Sequence, residues 1–83
     1  MTDVKRYRLY GTSACHLCEQ AETLLEALNE QGVSVTYEKV DIANRDDLFE
    51  RYGLLIPVLQ NPQGSELLWP FDAAVLRDFV TTD

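Results

Sequence analysis

The two cysteines of the chain, Cys15 and Cys18, lie three positions apart, where an extended pattern gives way to a helical one. Residues i and i+3 of a helix share a face, so the two sulfur atoms can reach disulfide distance with little movement of the backbone. The pair stands at the start of a helical pattern. We therefore expect the pair to form and break a reversible disulfide bond.

The two cysteines are expected to differ in reactivity. Cys15 falls at or next to the helix N-terminus, where unpaired backbone N–H groups and the positive end of the helix dipole stabilise a thiolate. Cysteines in such positions have a pKa lowered from about 8.5 into the range of about 3.5–7.5. Cys15 is thus the predicted catalytic nucleophile. Cys18, one turn further and facing the body of the protein, is the predicted resolving thiol.

Two other interpretations of the cysteine pair remain open, a metal site and a pair of unreactive thiols. Zinc takes four protein ligands, or three and a water molecule. The only nearby further ligand is His16, the single histidine of the chain. On a helix it points about a third of a turn away from Cys15, so the three side chains converge poorly on one ion. We therefore favour redox chemistry and predict no metal.

Length and charge limit the possible functions. The 83 residues predict one domain spanning 1–83, and their 46% hydrophobic content is sufficient for a globular fold. Fourteen acidic and seven basic residues give a formal charge of −7, which argues against nucleic acid and against an anionic membrane surface as partners. Two cysteines in a redox spacing do not form the disulfide framework that is typical of small secreted domains. Residues 1–6 also lack the apolar run of a signal peptide. A cytoplasmic location is expected.

The first half of the chain predicts a βαβ unit. A strand over residues 4–10 is broken by the sequence Gly-Thr-Ser, and a helix with a leucine stripe runs from Cys15 until Gly32 ends it. A second strand is expected over 33–41, with an uncertain register near Lys39. Such a unit is right-handed with parallel strands, and it places the dithiol at the carboxyl end of the first strand.

The second half predicts a helix, a hairpin and a last helix. Capping side chains at 44–47 suggest a short helix closed by Gly53. The apolar run 54–59 is typical of a buried central strand, and Pro57 belongs at the beginning of that strand because it cannot donate to a ladder. A turn at 61–64 leads to a returning strand at 65–69. Asp72 is a plausible cap for the last helix, whose apolar positions are Val75, Leu76, Phe79 and Val80. The order is βαβαββα, an α/β fold class.

With this order of elements, the motif Cys15-His16-Leu17-Cys18, the Ile56-Pro57 step and Phe71-Asp72 make the chain similar to the thioredoxin superfamily. It most resembles the small glutaredoxin-like proteins, and the resemblance covers nearly the whole chain. The resemblance implies a thioredoxin fold, in which three helices flank a four-stranded mixed sheet.

The resemblance also implies where a substrate binds. In the family, the proline that matches Pro57 is cis and lies against the dithiol, while the backbone of the residue before it, here Ile56, pairs with an extended substrate. A trans proline at the start of an edge strand is the alternative from the residues alone. Asp72 matches an aspartate that contacts the γ-glutamyl amine of glutathione. Its alternative role is helix capping alone.

The chain departs from the glutaredoxin pattern at several positions. His16 and Thr12 stand where typical members have a proline and a lysine, and Trp69-Pro70 replaces two glycines that let glutathione approach the backbone. One glutathione-binding element of three survives. If protonated, His16 would stabilise the Cys15 thiolate and move the couple toward more oxidising potentials. An exposed histidine without influence on the dithiol is the alternative.

The sequence thus predicts a thiol–disulfide oxidoreductase that reduces protein disulfides or glutathione mixed disulfides. No metal or organic cofactor is required, and glutathione is a possible reductant or co-substrate. The expected partners are a disulfide-containing protein or glutathione and a cellular thiol reductant, and the protein is expected to be a monomer. The alternative is a non-enzymatic, partner-binding module of the same fold, whose disulfide is a switch or incidental.

Overall fold

A computed structural model describes residues 6–81 of the chain. The residues before and after this range, including Val4 and Lys5 of the predicted first strand, lie outside the described part. The elements in chain order are β1 Arg6–Gly11, α1 His16–Glu30, β2 Thr36–Asp41, a 3₁₀ helix Ile42–Asn44, α2 Asp46–Tyr52, β3 Val58–Gln60, β4 Glu66–Leu68 and α3 Ala73–Thr81. Within this range no helix combines the length and the apolar character that a membrane crossing needs.

The four strands form one mixed sheet in the order β2-β1-β3-β4. β1 is parallel to β2 and antiparallel to β3, and β4 is antiparallel to β3. The predicted thioredoxin fold, with a four-stranded mixed sheet and three α-helices, is confirmed. These directions bring the carboxyl ends of β1, β2 and β4 and the amino end of β3 to one edge of the sheet. Since β1 leads directly into the cysteines, we call this side the dithiol edge.

Each face of the sheet buries its own group of side chains. Successive residues of a strand point to opposite faces. Tyr7 and Leu9 of β1 and Leu59 of β3 therefore join one core cluster, together with Ala21, Leu25, Leu28, Val35, Phe71 and Leu76 from the rest of the chain. α1 and α3 thus share this face. Val58 and Tyr10 point the other way and pack with Ile42 and with Tyr52 of α2.

The α2 face also contains a polar network. The rings of Tyr10 and Tyr52 stack with centroids 4.5 Å apart. The Tyr10 hydroxyl donates to Gln60 Oε1 at 3.1 Å, and Gln60 Nε2 donates to Glu66 Oε2 at 3.3 Å. The Tyr52 hydroxyl donates a short hydrogen bond to the same carboxylate oxygen. The network ties α2 to the hairpin formed by β3 and β4.

The predicted boundaries of α1 are confirmed, whereas the second strand begins later than expected. α1 starts directly after Cys15 and ends just before Gly32, whose φ of +93° is a conformation that favours glycine. The predicted start of the strand at residue 33 is wrong, because the Val35 N–H donates to the Asn29 side chain at 2.7 Å and is thereby held in the connection. β2 starts at Thr36.

The second helix forms where expected, without the expected cap. Arg45 occupies the N-cap position of α2 and makes no side-chain capping bond. Asp46 and Asp47 lie inside the first turn, where their charge is favourable to the helix dipole. A capping aspartate does occur just before, since Asp41 Oδ1 accepts from Ala43 N–H at 2.9 Å and opens the 3₁₀ helix, which the sequence pattern did not predict.

Three apolar positions that the sequence patterns placed toward the core are exposed. Leu54 and Leu55 precede the third strand and do not enter it; Leu54 is fully exposed and Leu55 is 43% exposed. The strand begins only after Pro57, as the missing N–H of proline requires. Val75 of α3 is likewise exposed, while Leu76 is buried. The apolar run contained a turn that hydrophobicity alone did not indicate.

Candidate active site

Cys15 is the N-cap residue of α1. Its backbone is extended, with φ −93° and ψ 108°, and its Sγ atom accepts a hydrogen bond from the Cys18 backbone N–H at 3.0 Å. An N-cap side chain of this kind satisfies one of the free amide groups of the first turn, a role usually taken by serine, threonine or aspartate oxygens. The predicted position of Cys15 at the helix N-terminus is therefore observed. Both the amide and the helix dipole favour negative charge on this sulfur.

Cys15 and Cys18 are joined by a disulfide bond, with their Cα atoms 5.2 Å apart. This separation lies inside the usual range for disulfides, about 4.4–6.8 Å. Cys15 is half-buried, whereas Cys18 is only 4% exposed. An incoming disulfide can therefore reach Cys15 more readily than Cys18. The roles of nucleophile and resolving thiol stay a prediction.

Gly11 provides the space that Cys18 occupies. A methyl group added at Gly11 would lie 2.6 Å from Cys18 Sγ and 3.2 Å from its Cβ, closer than side-chain carbons normally approach. The last residue of β1 thus packs directly beneath the buried sulfur. Any larger residue here has to displace Cys18 or the strand.

Ile56 and Pro57 lie at the dithiol edge. Their peptide bond is cis, in agreement with the resemblance. β1 and β3 pair antiparallel with Tyr10 opposite Val58, so Gly11 and Pro57 are the next residues along the two strands. Pro57 is buried, and Ile56 is half-buried against the cluster on the α2 face. The sheet therefore brings the proline loop to the strand end that contacts Cys18.

Asp72 caps α3. Its Oδ1 atom accepts a hydrogen bond from the Val75 N–H at 2.8 Å, as the sequence pattern predicted. The side chain is exposed. Just before it, Trp69 packs edge-to-face on Phe71 with ring centroids 4.9 Å apart, and the Trp69-Pro70 bond is cis. The ligand contact implied for Asp72 stays a prediction.

A cleft of about 330 Å³ opens beside Cys18. It lies between the end of β1, the first turns of α1 and the end of β2. Lys39 Nζ in this cleft forms an ion pair with Glu22 Oε1 at 3.4 Å. The full lining is Leu9, Gly11, Thr12, Ser13, Cys18, Glu22, Lys39, Val40 and Asp41.

His16 is the first residue of α1 and its side chain is exposed. Among residues 6–81, no three His, Cys, Asp or Glu side chains cluster as metal ligands would. The modulating role of His16 is a proposal taken up below.

The sequence patterns missed three features of this site. Gly11 was interpreted only as the break after the first strand. The Glu22–Lys39 pair joins α1 to β2, and no local pattern reports such a long-range contact. The exposure of Leu54 could have been suspected, since Gly53 just before it is a typical turn residue.

Comparisons with known proteins show the family and the fold. The family model described as glutaredoxin-like domain (DUF836) matches residues 6–81. The crystal structure of the structural genomics target protein XcR50 from X. campestris is 41% identical, covers 90% of this chain and 95% of that chain, and superposes with a TM-score of 0.75. Its solution structure gives a TM-score of 0.74 at the same identity, over 90% of this chain and 91% of that chain.

A more distant solution structure shares the fold. Protein Ne2328 from Nitrosomonas europaea is 23% identical, covers 95% of this chain and 94% of that chain, and has a TM-score of 0.71. A search of the curated proteins returned no match.

Proposed function

Because this chain belongs to the glutaredoxin-like domain family, we propose that it is a thiol–disulfide oxidoreductase. One observation carries the proposal: the half-buried Cys15 sulfur caps α1 and accepts the Cys18 N–H at 3.0 Å, while Cys18 is buried beneath it. This arrangement favours a thiolate on the accessible sulfur and holds a second thiol within reach of it. Both properties are needed for disulfide exchange through a mixed disulfide.

The reaction proceeds in four thiol–disulfide exchanges, two with the substrate and two with an external thiol. The Cys15 thiolate attacks one sulfur of a substrate disulfide, forms a mixed disulfide and releases the other substrate sulfur as a thiolate, which takes up a proton. Cys18 then loses its proton and attacks the Cys15 sulfur, which closes the Cys15–Cys18 disulfide and releases the second substrate thiol. Two molecules of an external thiol reopen the disulfide and leave as their own disulfide. The substrate gains the two electrons that the external thiol loses.

The partners follow from this scheme. The substrate is a disulfide-containing protein or a glutathione mixed disulfide, and a cellular thiol such as glutathione is the reductant. Ile56 would pair with an extended substrate beside Pro57 through its backbone carbonyl, because its N–H already donates to the Tyr52 carbonyl at 3.1 Å. Asp72 would contact the substrate in addition to capping α3. We propose that the protein works as a monomer in the reducing cytoplasm, without a resident metal or organic cofactor.

The decisive experiment traps the mixed disulfide. In Cys18→Ser the resolving thiol is gone, so incubation with a model disulfide should leave the substrate thiol attached to Cys15, as a mass increase of the intact protein. Cys15→Ser is the matched control and should form no adduct under the same conditions. Equal labelling of the two variants would contradict the assignment of Cys15 as nucleophile.

The reduction potential separates this function from its alternative, a partner-binding module with an incidental disulfide. Equilibration in graded glutathione buffers should give a reversible two-electron couple within roughly −120 to −270 mV. Turnover of a model disulfide with glutathione or with a thioredoxin reductase should accompany it. A dithiol that forms no disulfide across this range, or one without turnover, would favour the binding module.

His16 is proposed to modulate the couple. A protonated imidazole beside Cys15 would stabilise the thiolate and hence the reduced form. Replacing His16 with proline should make the potential more negative, measured in the same glutathione buffers. An unchanged potential would assign His16 to the exposed surface alone.

A further inference from the structure

Three exposed apolar side chains lie on α2 and on the turn that precedes Pro57. Phe49 is 55% exposed, Leu54 fully exposed and Leu55 43% exposed. Together with Glu50, Arg51 and Gly53 they line a groove of about 440 Å³. We call the group Phe49, Leu54 and Leu55 the α2 apolar surface.

The chain itself keeps this surface close to Pro57 of the candidate active site. Leu54 and Leu55 are three and two residues before Pro57, and three residues of chain span at most about 10 Å. The turn that presents them is well fixed, because the N–H groups of Leu55 and Ile56 both donate to the Tyr52 carbonyl, at 2.8 and 3.1 Å. A polypeptide segment bound along Ile56 would therefore continue onto, or begin from, the α2 apolar surface.

The fold has no internal use for these side chains. The core cluster on the α2 face contains Tyr10, Ile42, Tyr52 and Val58. Leu54, Leu55 and Phe49 do not belong to it. A further leucine, Leu17, lies between the two cysteines and is 42% exposed. Exposed apolar side chains thus occur on α1, between the two cysteines, and on the segment before β3.

Several carboxylates lie on the elements that lead into the dithiol. Asp41 ends β2 at the dithiol edge and lines the cleft beside Cys18, Glu19 lies in the first turn of α1, and Asp72 caps α3. The groove of the α2 apolar surface itself has one residue of each charge, Glu50 and Arg51. The cation in the cleft beside Cys18, Lys39, is paired with Glu22. Arg6 and Arg8 lie at the other end of β1, and Arg8 is paired with Glu38 at 3.2 Å. A substrate with carboxylates close to its sulfur, as glutathione has, would meet repulsion here, whereas a cationic substrate would be attracted.

From this combination we infer that the preferred substrate is a polypeptide disulfide with apolar and cationic residues beside its cysteine, bound across the α2 apolar surface. The inference rests on the proposed oxidoreductase function and specifies its substrate class. The apolar residue of the substrate occupies the groove formed with Leu54, and the cationic residue faces the carboxylates of the dithiol edge. Glutathione then acts as a reductant that is present in excess rather than as the favoured substrate moiety.

The test compares disulfides that differ only beside the sulfur. Three short peptides carry one cysteine flanked by leucine and lysine, by leucine and glutamate, or by glycines alone, each as a mixed disulfide with the same small thiol. Neutral hydroxyethyl disulfide is the fourth substrate. The wild-type protein should show the highest kcat/KM for the leucine-lysine peptide, about tenfold above the glycine peptide and further above the leucine-glutamate peptide.

Two variants locate the effect. Leu54→Ser removes an apolar side chain that the fold leaves in solvent, and should lower the ratio of kcat/KM for leucine-lysine over glycine peptides by about fivefold. Asp41→Asn keeps a capping side chain for the 3₁₀ helix, and should lower the ratio for lysine over glutamate peptides about twofold to fourfold. Glu30→Gln is the matched control for charge. Glu30 is the last residue of the 15-residue α1, about 22 Å along the helix from its N-terminus at the dithiol, so this variant should change neither the leucine-lysine over glycine ratio nor the lysine over glutamate ratio.

The outcomes separate the two levels of the argument. No turnover of hydroxyethyl disulfide or any peptide would overturn the proposed oxidoreductase function itself. Turnover with equal kcat/KM for all three peptides would leave that function standing and overturn the substrate inference. Equal effects of Asp41→Asn and Glu30→Gln would show that net charge, and not the dithiol edge, governs the selectivity, which also contradicts the inference.

Discussion

At the scale of single residues, Cys15 has a structural role in addition to the chemical role proposed for it. Its sulfur takes the place of the oxygen that usually caps a helix, and it accepts the amide of the very residue with which it forms the disulfide. A thiolate is a stronger acceptor than a disulfide sulfur, since charge-assisted hydrogen bonds are the stronger ones. Reduction should therefore strengthen the N-terminus of α1, so that the capping bond itself favours the nucleophilic state.

The contact between Gly11 and Cys18 gives a prediction about packing. Gly11→Ala places a methyl group only 2.6 Å from the Cys18 sulfur, so that one of the two has to move. The free energy of unfolding of the reduced protein should fall by about 1–3 kcal/mol, the usual cost of overpacking. Denaturant unfolding followed by Trp69 fluorescence in the presence of reductant measures it.

A double-mutant cycle tests the cause. In the Cys18→Ala background the clashing sulfur is absent, so the same Gly11→Ala change should cost much less, again under reducing conditions. If the cost is equal in both backgrounds, the contact with the sulfur is not the reason for a glycine at this position.

How far single residues could be predicted depends on the range of the interaction that fixes them. The roles proposed for the cysteines were inferred from local helix geometry, and the structure places Cys15 at the helix N-terminus and buries Cys18. Asp72 as a cap is also local, three residues from the amide it accepts. Gly11 differs, because its neighbour in space comes from α1, and the two are juxtaposed only when β1 and α1 fold together. A sequence of one chain does not contain that contact in any short pattern.

At the scale of elements, α3 depends on its cap. Asp72→Ala removes the acceptor of the Val75 N–H and should lower the free energy of unfolding by about 1 kcal/mol, whereas Asp72→Asn, which can still cap, should cost a few tenths at most. Thermal or denaturant unfolding of the three proteins gives the values. The same pair separates capping from ligand contact. If the carboxylate binds a substrate amine, Asp72→Asn lowers kcat/KM while stability is kept.

The bond between α2 and β4 is expected to depend on pH. Burial raises the pKa of Tyr52 to about 12, assisted by the hydrogen bond to the Glu66 carboxylate and by its charge. The neutral hydroxyl is thus the form that the fold stabilises. Its contribution is fully present below the unfolded pKa of about 10 and is lost as the pH rises toward 12.

Tyr52→Phe removes this contribution. At neutral pH the variant should be less stable than the wild type by about 1–2 kcal/mol, because the half-buried Glu66 carboxylate loses a donor. The difference in unfolding free energy between the two proteins should shrink between pH 10 and about 12. A difference that stays constant over this interval would mean that the Tyr52 hydroxyl does not contribute through its protonated form.

Elements were predictable in type and order because hydrophobic periodicity and turn residues are local signals. The predictions failed at positions where tertiary contacts decide whether a residue belongs to a strand. Leu54 and Leu55 form an apolar run with the strand that follows, yet hydrogen bonds to the Tyr52 carbonyl hold them in a turn outside the core. Val35 is buried but lies in a connection, because the Asn29 side chain takes its N–H. Apolar character thus predicted burial correctly for Val35 but not for Leu54 and Leu55.

At the scale of the whole molecule, the charge of −7 is spread unevenly. α1 carries Glu19, Glu22, Glu26 and Glu30, and its last turn has no basic residue. Of these, Glu22 is paired with Lys39, and both Glu22 and Glu26 contribute to the raised pKa of Tyr37, although burial is its first cause. Like charges four residues apart are unfavourable, and a carboxylate at a helix C-terminus opposes the helix dipole. The fold therefore retains electrostatic repulsion that salt can screen.

Glu30→Lys should stabilise the protein by about 0.5–1 kcal/mol at low ionic strength, since it removes repulsion with Glu26 and places a cation at the negative end of α1. Glu30→Gln, which only removes the charge, should give about half of this gain. Both gains should shrink between about 20 mM and about 500 mM NaCl, while the wild type itself becomes more stable, because these charges are exposed and screening at high salt acts within a few ångströms. Denaturant unfolding at both salt concentrations measures the three proteins. Gains that do not depend on salt would come from helix propensity or packing at position 30, and the wild-type chain would then not be limited by its own negative charge.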